Sequence, residues 1–178
     1  MGHYVALLRG INVGGQRRVP MAELRAVAEE LGLTGVRTLI ASGNLVFAGE
    51  GAAAEVEAKL EQAVERRFGF PVDIMVRTAE QWRGYIDDNP LAGDAAKAPK
   101  FLLLFVGKQP ADAAALEWLR ARSAPEERVA AKGDAVWIYF ANGGGRSKLG
   151  NGPKPGLWTG RNWRTVLAIE EMLCSPSR

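Results

Sequence analysis

The apolar positions in the first half of the chain mark four short strands. A nearly continuous apolar run at residues 4–9 predicts a strand buried on both faces. Residues 36–40 and 44–48 predict two strands joined by a tight turn. Residues 72–77 alternate apolar and polar side chains, as a half-buried strand does. These four runs are the strands of a small sheet.

Helical patterns separate these strands. Apolar residues recur at helical spacing after Pro20, which suits a first turn, and Gly32 ends that helix. The second helix covers about residues 52–68, where apolar side chains recur every fourth position. Thr78 and Gln81 have the spacing of a capping box and predict a further short helix. The order strand, helix, strand, strand, helix, strand is that of a ferredoxin-like (βαββαβ-type) unit.

The second half of the chain repeats this order of elements without a visible sequence repeat. A strand is predicted at residues 101–106, a helix after Pro110, and a hairpin of residues 127–132 and 135–140. A long glycine-rich loop then leads to a helix that contains Trp163. The second unit therefore lacks a clear final strand.

We predict an α+β protein of two ferredoxin-like units, with mainly antiparallel sheets and helices packed on one face. Residues 1–90 form the N-terminal unit with a short trailing helix, and residues 101–178 form the C-terminal unit. Residues 91–100 are small and polar, as in a linker.

Charge is distributed unevenly along the chain. Residues 1–90 carry 10 Lys and Arg against 12 Asp and Glu, whereas residues 91–178 carry 13 against 8. Cys174 is the single cysteine and His3 the single histidine, so neither a disulfide within the chain nor a His and Cys metal cluster is expected. No apolar run is long enough for a signal peptide or a membrane span. We expect a soluble cytoplasmic protein with no metal, no cofactor and no membrane contact.

The most informative segment is the basic, glycine-rich stretch of residues 142–165. It holds seven glycines, five cations and no acid. Successive N–H groups at residues 143–145, with Arg146 and Lys148 beside them, suit a phosphate or another anion. Trp158 lies in the same stretch and could stack on a base, whereas the alternative is a mobile surface loop. The five cations are Arg146, Lys148, Lys154, Arg161 and Arg164.

Residues 161–165 (RNWRT) open the last predicted helix. Asn162 is placed to cap it, and the free N–H groups of the first turn attract an anion. Arg161 and Arg164 at this position oppose the helix dipole by ~0.3–1 kcal/mol each, and a bound anion would reverse that sign. The alternative is that both arginines point into solvent.

The loop after the first strand has similar chemistry. Gly14 and Gly15 allow a ligand to approach the backbone closely, and Arg9 adds positive charge. Asn12 either holds a turn or contacts a ligand, whereas for Asn44 the turn role is favoured.

Five short segments follow one another along nearly the whole chain. They are RGINVGG at residues 9–15, VPMAELR at 19–25, SGN at 42–44, GRSK at 145–148 and RNWRT at 161–165. In this order they resemble the bacterial family named domain of unknown function 1697. The resemblance implies a small intracellular α+β protein with ferredoxin-like units and no established activity.

The resemblance also implies a set of recurrent polar positions, none with an assigned catalytic role. Ala168 departs from the family, which often has a lysine there, so a charged site in this chain would be built differently. The recurrent polar positions are Arg9, Asn12, Ser42, Asn44, Ser147, Lys148, Arg161, Asn162 and Thr165.

These patterns favour a binding module for a phosphate-bearing ligand, either a nucleotide or a nucleic acid. One alternative is an enzyme acting on a small phosphorylated or carboxylated metabolite, for which Ser147, Lys148 and Asp73 are the first residues to test. Another is a protein-interaction adaptor with an exposed sheet edge, and both a monomer and a homodimer fit. The predicted ligand-binding residues are Arg9, Asn12, Gly14, Gly15, Ser42, Asn44, Arg146, Ser147, Lys148, Arg161, Asn162, Arg164 and Thr165.

Overall fold

Two four-stranded antiparallel sheets organise the chain, in agreement with the predicted α+β class. A computed structural model describes residues 1–151 and 156–175. It divides the chain into two units, Met1–Gly84 with Ile169–Arg178, and Tyr85–Ala168. Among the described residues, no helix combines the length and the apolar character that a membrane crossing requires.

The first sheet has the strand order of a ferredoxin-like unit. Its strands are β1 (Gly2–Leu8), β2 (Thr34–Thr38), β3 (Asn44–Gly49) and β4 (Ile74–Thr78), arranged β2-β3-β1-β4. Strand β1 pairs antiparallel with both β3 and β4 at the centre of the sheet. The apolar run that predicted a strand buried on both faces therefore forms the central strand, as that pattern requires.

The first unit contains the helices α1 (Met21–Glu30) and α2 (Ala53–Phe68) and the first part of α3 (Ala79–Asp87). Helix α1 ends in a Schellman motif, because Gly32 has a φ of 80° and donates to Glu29, while the next residue donates to Ala28. The predicted glycine stop of this helix is therefore confirmed.

The capping box of α3 is also present. The N–H of Thr78 donates to Oε1 of Gln81 at 2.9 Å, and the N–H of Gln81 donates to Oγ1 of Thr78 at 3.1 Å. Two N–H groups that the first helical turn leaves unpaired are thereby satisfied.

Helices α1 and α2 pack on one face of the first sheet. Tyr4, Ala6 and Leu8 of β1 share one buried cluster with Leu24 of α1 and Leu60 of α2. The alternate residues of β1 point to this face, since successive side chains of a strand point to opposite faces.

Side chains of α2 close the edge of the sheet at β4. Glu61 accepts from the N–H of Ile74 at 2.8 Å, and Glu57 accepts from the N–H of Val76 at 2.8 Å. Unpaired N–H groups on an edge strand invite pairing with another strand, so the two carboxylates protect this edge.

The second sheet contains a strand that the sequence did not predict. Its strands are β5 (Leu102–Gly107), β6 (Arg128–Lys132), β7 (Ala135–Tyr139) and β8 (Trp158–Asn162), arranged β6-β7-β5-β8. The prediction that this unit lacks a final strand was wrong, because β8 pairs antiparallel with β5 over five residues.

Strand β8 cannot be predicted from apolar periodicity because of its composition. Gly160 lies opposite Phe105, and a Cβ atom added there would come within 2.5 Å of the phenyl ring. Arg161, the following residue, is buried despite its charge. A strand with glycine and arginine in its interior therefore looks like a polar loop.

Helices of the second half are α4 (Ala92–Lys97), α5 (Ala113–Arg122) and α6 (Trp163–Cys174). Helix α4 occupies most of residues 91–100, where the composition suggested a linker. Asp112 caps α5 by accepting from the N–H of Ala115 at 2.8 Å. The division into domains at residues 1–90 and 101–178 remains a prediction.

The end of α6 groups with the first unit. The guanidinium of Arg37 in β2 donates to the carbonyl of Ser175 at 3.3 Å and also to that of Met172. Arg83 forms an ion pair with Glu170 of 2.8 Å, and this carboxylate raises the pKa of the guanidinium. A cation near the last carbonyls of a helix satisfies them and complements the helix dipole.

Candidate functional site

An open groove of about 540 Å³ lies on the surface of the second unit. One wall comes from the end of α5 and the turn that follows, and the other comes from the basic loop after β7. The polar and charged residues that line it are Arg122, Ser123, Glu127, Asn142, Arg146, Ser147 and Lys148.

Arg122 is the last residue of α5, and its side chain packs on the ring of Trp118. Its guanidinium carbon lies 5.2 Å from the centre of the Trp118 ring, one helical turn earlier. This cation–π contact holds the side chain, and the position at the helix C-terminus favours a positive charge.

A tight turn after α5 carries Glu127, the only carboxylate among the described residues that line the groove. Glu127 accepts from the N–H of Ala124 through Oε2 at 2.9 Å, and its own N–H donates back to the Ala124 carbonyl at 2.9 Å. One carboxylate oxygen is therefore used within the turn.

The basic loop is anchored to the core of its own unit. Leu149 is buried in the cluster with Leu116 and Phe140, and its N–H donates to Oγ of Ser147 at 3.1 Å. The N–H of Gly143 donates to the carbonyl of Phe140 at 2.8 Å. These contacts on both sides fix the backbone that carries the groove residues.

Arg146 and Lys148 extend from this anchored loop into the exposed groove. Within residues 1–151 and 156–175, neither side chain forms an ion pair or a hydrogen bond. Together with Arg122 they place three cations against the single carboxylate of Glu127. The groove therefore has an excess of positive charge and attracts anions.

The described glycines of this loop shape its backbone and do not line the groove. Residues 144–146 form a single 3₁₀ turn, entered through Gly143 with a φ of 84°. Residues 143–145 do not line the groove, so the predicted nest of glycine N–H groups is not what forms its wall. Lys154, the fifth cation of the predicted basic stretch, lies outside the described residues.

The RNWRT segment is placed differently from the prediction. Arg161 lies in β8 and is only 6% exposed, where it donates to Oγ1 of Thr159 at 2.8 Å and to the carbonyl of Gly160 at 2.8 Å. Burial lowers the pKa of its guanidinium to about 10, because desolvation disfavours the charged form. The Arg161 side chain is therefore not available to bind an anion at the N-terminus of α6 in the way that the sequence suggested.

Asn162 caps α6 as predicted. Its Oδ1 accepts from the N–H of Arg164 at 3.0 Å, and its Nδ2 donates to the carbonyl of Lys100 at 2.7 Å. Arg164 is exposed and Thr165 is half-buried. Trp158 stacks on Phe105, with ring centroids 4.5 Å apart, so this ring is already occupied.

The predicted residues of the first unit mainly hold its own turns. Arg9 pairs with Asp73 at 3.1 Å, with both side chains partly exposed. Gly14 and Gly15 form a two-residue hairpin tip with φ values of 61° and 78°, as a type I′ turn requires. Asn12 donates to the carbonyls of Val19 at 2.9 Å and Ala41 at 2.8 Å.

Asn44 is fully buried and has the turn role that the sequence favoured. Its Nδ2 donates to the carbonyl of Leu39 at 2.8 Å and to Oγ of Ser42 at 3.1 Å. Ile40, which follows Leu39, has a φ of 51°, which is unusual for a β-branched residue, and the residue is 56% exposed.

The structure thus brings together only part of the predicted set. Arg146, Ser147 and Lys148 line one groove, whereas Arg161 is buried and Asn12 is engaged in a turn. Sequence reading missed Arg122 and Glu127, since nothing in their local pattern distinguishes them from solvated charges. Among the described residues, no group of His, Cys, Asp or Glu is placed to hold a metal ion.

Comparison with known proteins places the chain in one family. Residues 1–137 match the family described as "Protein of unknown function (DUF1697)". The chain is also similar to the solved structure of the conserved bacterial protein SP0830 from Streptococcus pneumoniae. The two share 25% sequence identity with a TM-score of 0.80, over 97% of this chain and 98% of that chain. No curated protein matches the chain. Because the family match covers well over half of the sequence, the chain belongs to the DUF1697 family, and the resemblance is confirmed.

Proposed function

We propose that the groove of the second unit binds a phosphate-bearing anion, either a nucleotide or the backbone of a nucleic acid. The observation that supports this is the meeting of Arg122, Arg146 and Lys148 in one open groove. These three side chains come from two separate segments of the chain, and none is neutralised by a carboxylate among the described residues.

The two kinds of cation suit phosphate in complementary ways. An arginine guanidinium offers a planar fork of donors that can bind two phosphate oxygens at once, while a lysine acts as a mobile point charge. The hydroxyl of Ser147 and the amide of Asn142 add neutral donors at the same groove. Mutual repulsion among the cations is relieved when an anion enters, which favours binding further.

Thermal unfolding in the presence of ligand tests this proposal. Phosphate, nucleotides and short oligonucleotides are added to the wild-type protein, to the double variant Arg146→Gln/Lys148→Gln and to the control Arg120→Gln. Arg120 is an exposed cation on the same helix as Arg122 but does not line the groove. At one hundred times the dissociation constant, a ligand stabilises the folded protein by about 2.7 kcal/mol.

We expect that stabilisation in the wild-type protein and in the control, and its loss in the double variant. Equal stabilisation in all three proteins, or none with any probe, would contradict the proposal. For an oligonucleotide, three neutralised phosphates predict a log–log salt slope of about −2 to −3, so an affinity independent of salt would argue against nucleic acid.

An enzyme acting on a small phosphorylated metabolite is a second candidate, favoured by Glu127. The groove places this carboxylate in the same lining as the Ser147 hydroxyl and the Lys148 ammonium, so a base, a nucleophile and an electrophile share one site. Turnover of a metabolite pool by the wild-type protein, abolished in Lys148→Ala, would support catalysis. Equal inertness of both proteins would leave binding as the function.

A further inference from the structure

We infer that the groove recognises a chain of two or more phosphates and does not read a base. This inference rests on the proposed function, because it names the class of ligand that the same groove takes. It follows from the side chains of the groove, where three cations and small polar residues outnumber the one carboxylate of Glu127 among the described residues, and from the absence of aromatic rings there.

No aromatic ring lines the groove within the described part of the chain. Stacking on an aromatic side chain contributes about 1–3 kcal/mol per base in proteins that hold single strands. Two rings close to the basic loop in sequence have other partners, since Trp158 stacks on Phe105 and Phe140 is buried in the core of the unit. The Trp118 ring carries the guanidinium of Arg122 on its face.

The sequence extends this conclusion to the whole basic loop. Residues 141–157 read ANGGGRSKLGNGPKPGL and contain no Phe, Tyr or Trp. The opposite wall, residues 119–128, reads LRARSAPEER and contains none either. Neither wall can therefore supply an aromatic platform for a base.

Among the described residues, few neutral side chains of the groove are free to form hydrogen bonds with the edge of a base. Glu127 uses Oε2 within its own turn, and Ser147 accepts from the N–H of Leu149. Asn142 is the one side-chain amide among the described residues that line the groove. A ligand that places its phosphates on the three cations leaves this amide, which can form one bidentate pair with a base edge, so any base selection would rest on that single pair.

The number of cations fits a di- or triphosphate better than a monophosphate. Three cations among the described residues of one open groove exceed the charge of a single phosphate group, and a longer polyphosphate can contact all of them. We therefore expect affinity to increase with the number of phosphates and to stay nearly constant when the base changes or the nucleoside is removed.

Titration calorimetry with six probes tests this inference. The probes are ATP, GTP, CTP, UTP, inorganic tripolyphosphate and AMP, each titrated into the wild-type protein and into Lys148→Gln and Arg120→Gln. We expect the four nucleoside triphosphates and tripolyphosphate to agree within about threefold in Kd, and AMP to bind at least about tenfold more weakly. Lys148→Gln should weaken the five polyphosphate probes by a similar factor, whereas Arg120→Gln should leave them unchanged.

Two unfavourable outcomes have different meanings. A preference of about tenfold for one base, or a tenfold loss on removing the nucleoside, would overturn this inference while phosphate binding stands. Failure of every probe to bind would overturn the proposed function itself, and this inference with it.

Discussion

The side-chain amide of Asn12 donates to the carbonyl of Ala41 across a distance of 2.8 Å. The same amide group donates to the carbonyl of Val19 at 2.9 Å, and its Oδ1 accepts from the N–H of Val19 at 2.9 Å. One side chain therefore closes the loop after β1 and ties it to the turn between β2 and β3. The family resemblance singled out Asn12 as a recurrent polar position, and in the structure its side chain holds two loops together by hydrogen bonds.

Replacing Asn12 with alanine should lower the free energy of unfolding by roughly 1–3 kcal/mol. The variant leaves the N–H of Val19 and two carbonyls without their partner, and unpaired polar groups cost about that amount when they are shielded from water. Urea denaturation of both proteins measures the difference. Asn12→Gly is the matched control, because it removes the same hydrogen bonds but tolerates the φ of 55°. Stability within about 0.5 kcal/mol of wild type in both variants would contradict the assigned role.

Ile40 carries backbone strain that a single substitution should relieve. Its φ of 51° lies in the left-handed region, where asparagine is tolerated and a β-branched residue is disfavoured by about 1–2 kcal/mol. Because this residue is 56% exposed, little apolar contact is lost on replacement. We expect Ile40→Asn to raise the stability by about 1 kcal/mol, or roughly 2–4 °C in Tm.

The control for this prediction is Ile40→Val, which keeps the branched Cβ and should leave the Tm nearly unchanged. Thermal unfolding monitored by circular dichroism checks both variants. A lower Tm for Ile40→Asn than for the wild-type protein would show that the isoleucine side chain makes a contact that outweighs the strain.

Sequence reading succeeded where one local pattern determines the structure. The capping box of Thr78 and Gln81 and the glycine stop at Gly32 follow from residue types at fixed spacing, and both are present. The ferredoxin-like strand order of the first unit followed because its apolar periodicities change cleanly from strand to helix.

It failed where a distant partner determines the structure. Strand β8 needs Gly160 because the Phe105 ring fills the space where a side chain would be, and that ring is far away in sequence. Arg122 joins the candidate groove only because the end of α5 folds against the loop that carries Lys148. Such pairings depend on tertiary contacts, so periodicity and composition cannot report them.

Buried Arg161 predicts an unusual dependence of stability on pH. Burial lowers the pKa of its guanidinium from the ordinary arginine value to about 10 in the folded protein. Below about pH 9 the group is protonated in both the folded and the unfolded state, so it contributes a constant. Above about pH 10, and below the ordinary pKa of arginine, the folded state has released the proton while the unfolded state keeps it. Since the unfolded state then binds more protons, this group makes the protein more stable as the pH rises.

The comparison of wild type with Arg161→Met isolates this effect. The difference in unfolding free energy between the two proteins should be the same at pH 7 and pH 9, and should shift in favour of the wild type by about 1 kcal/mol at pH 10.5. Urea denaturation at the three pH values provides the measurement. Arg164→Met removes the same charge from an exposed position and corrects for the general effect of losing one cation. An unchanged difference at pH 10.5 would mean that the buried guanidinium keeps its proton in the folded state, and would contradict the prediction.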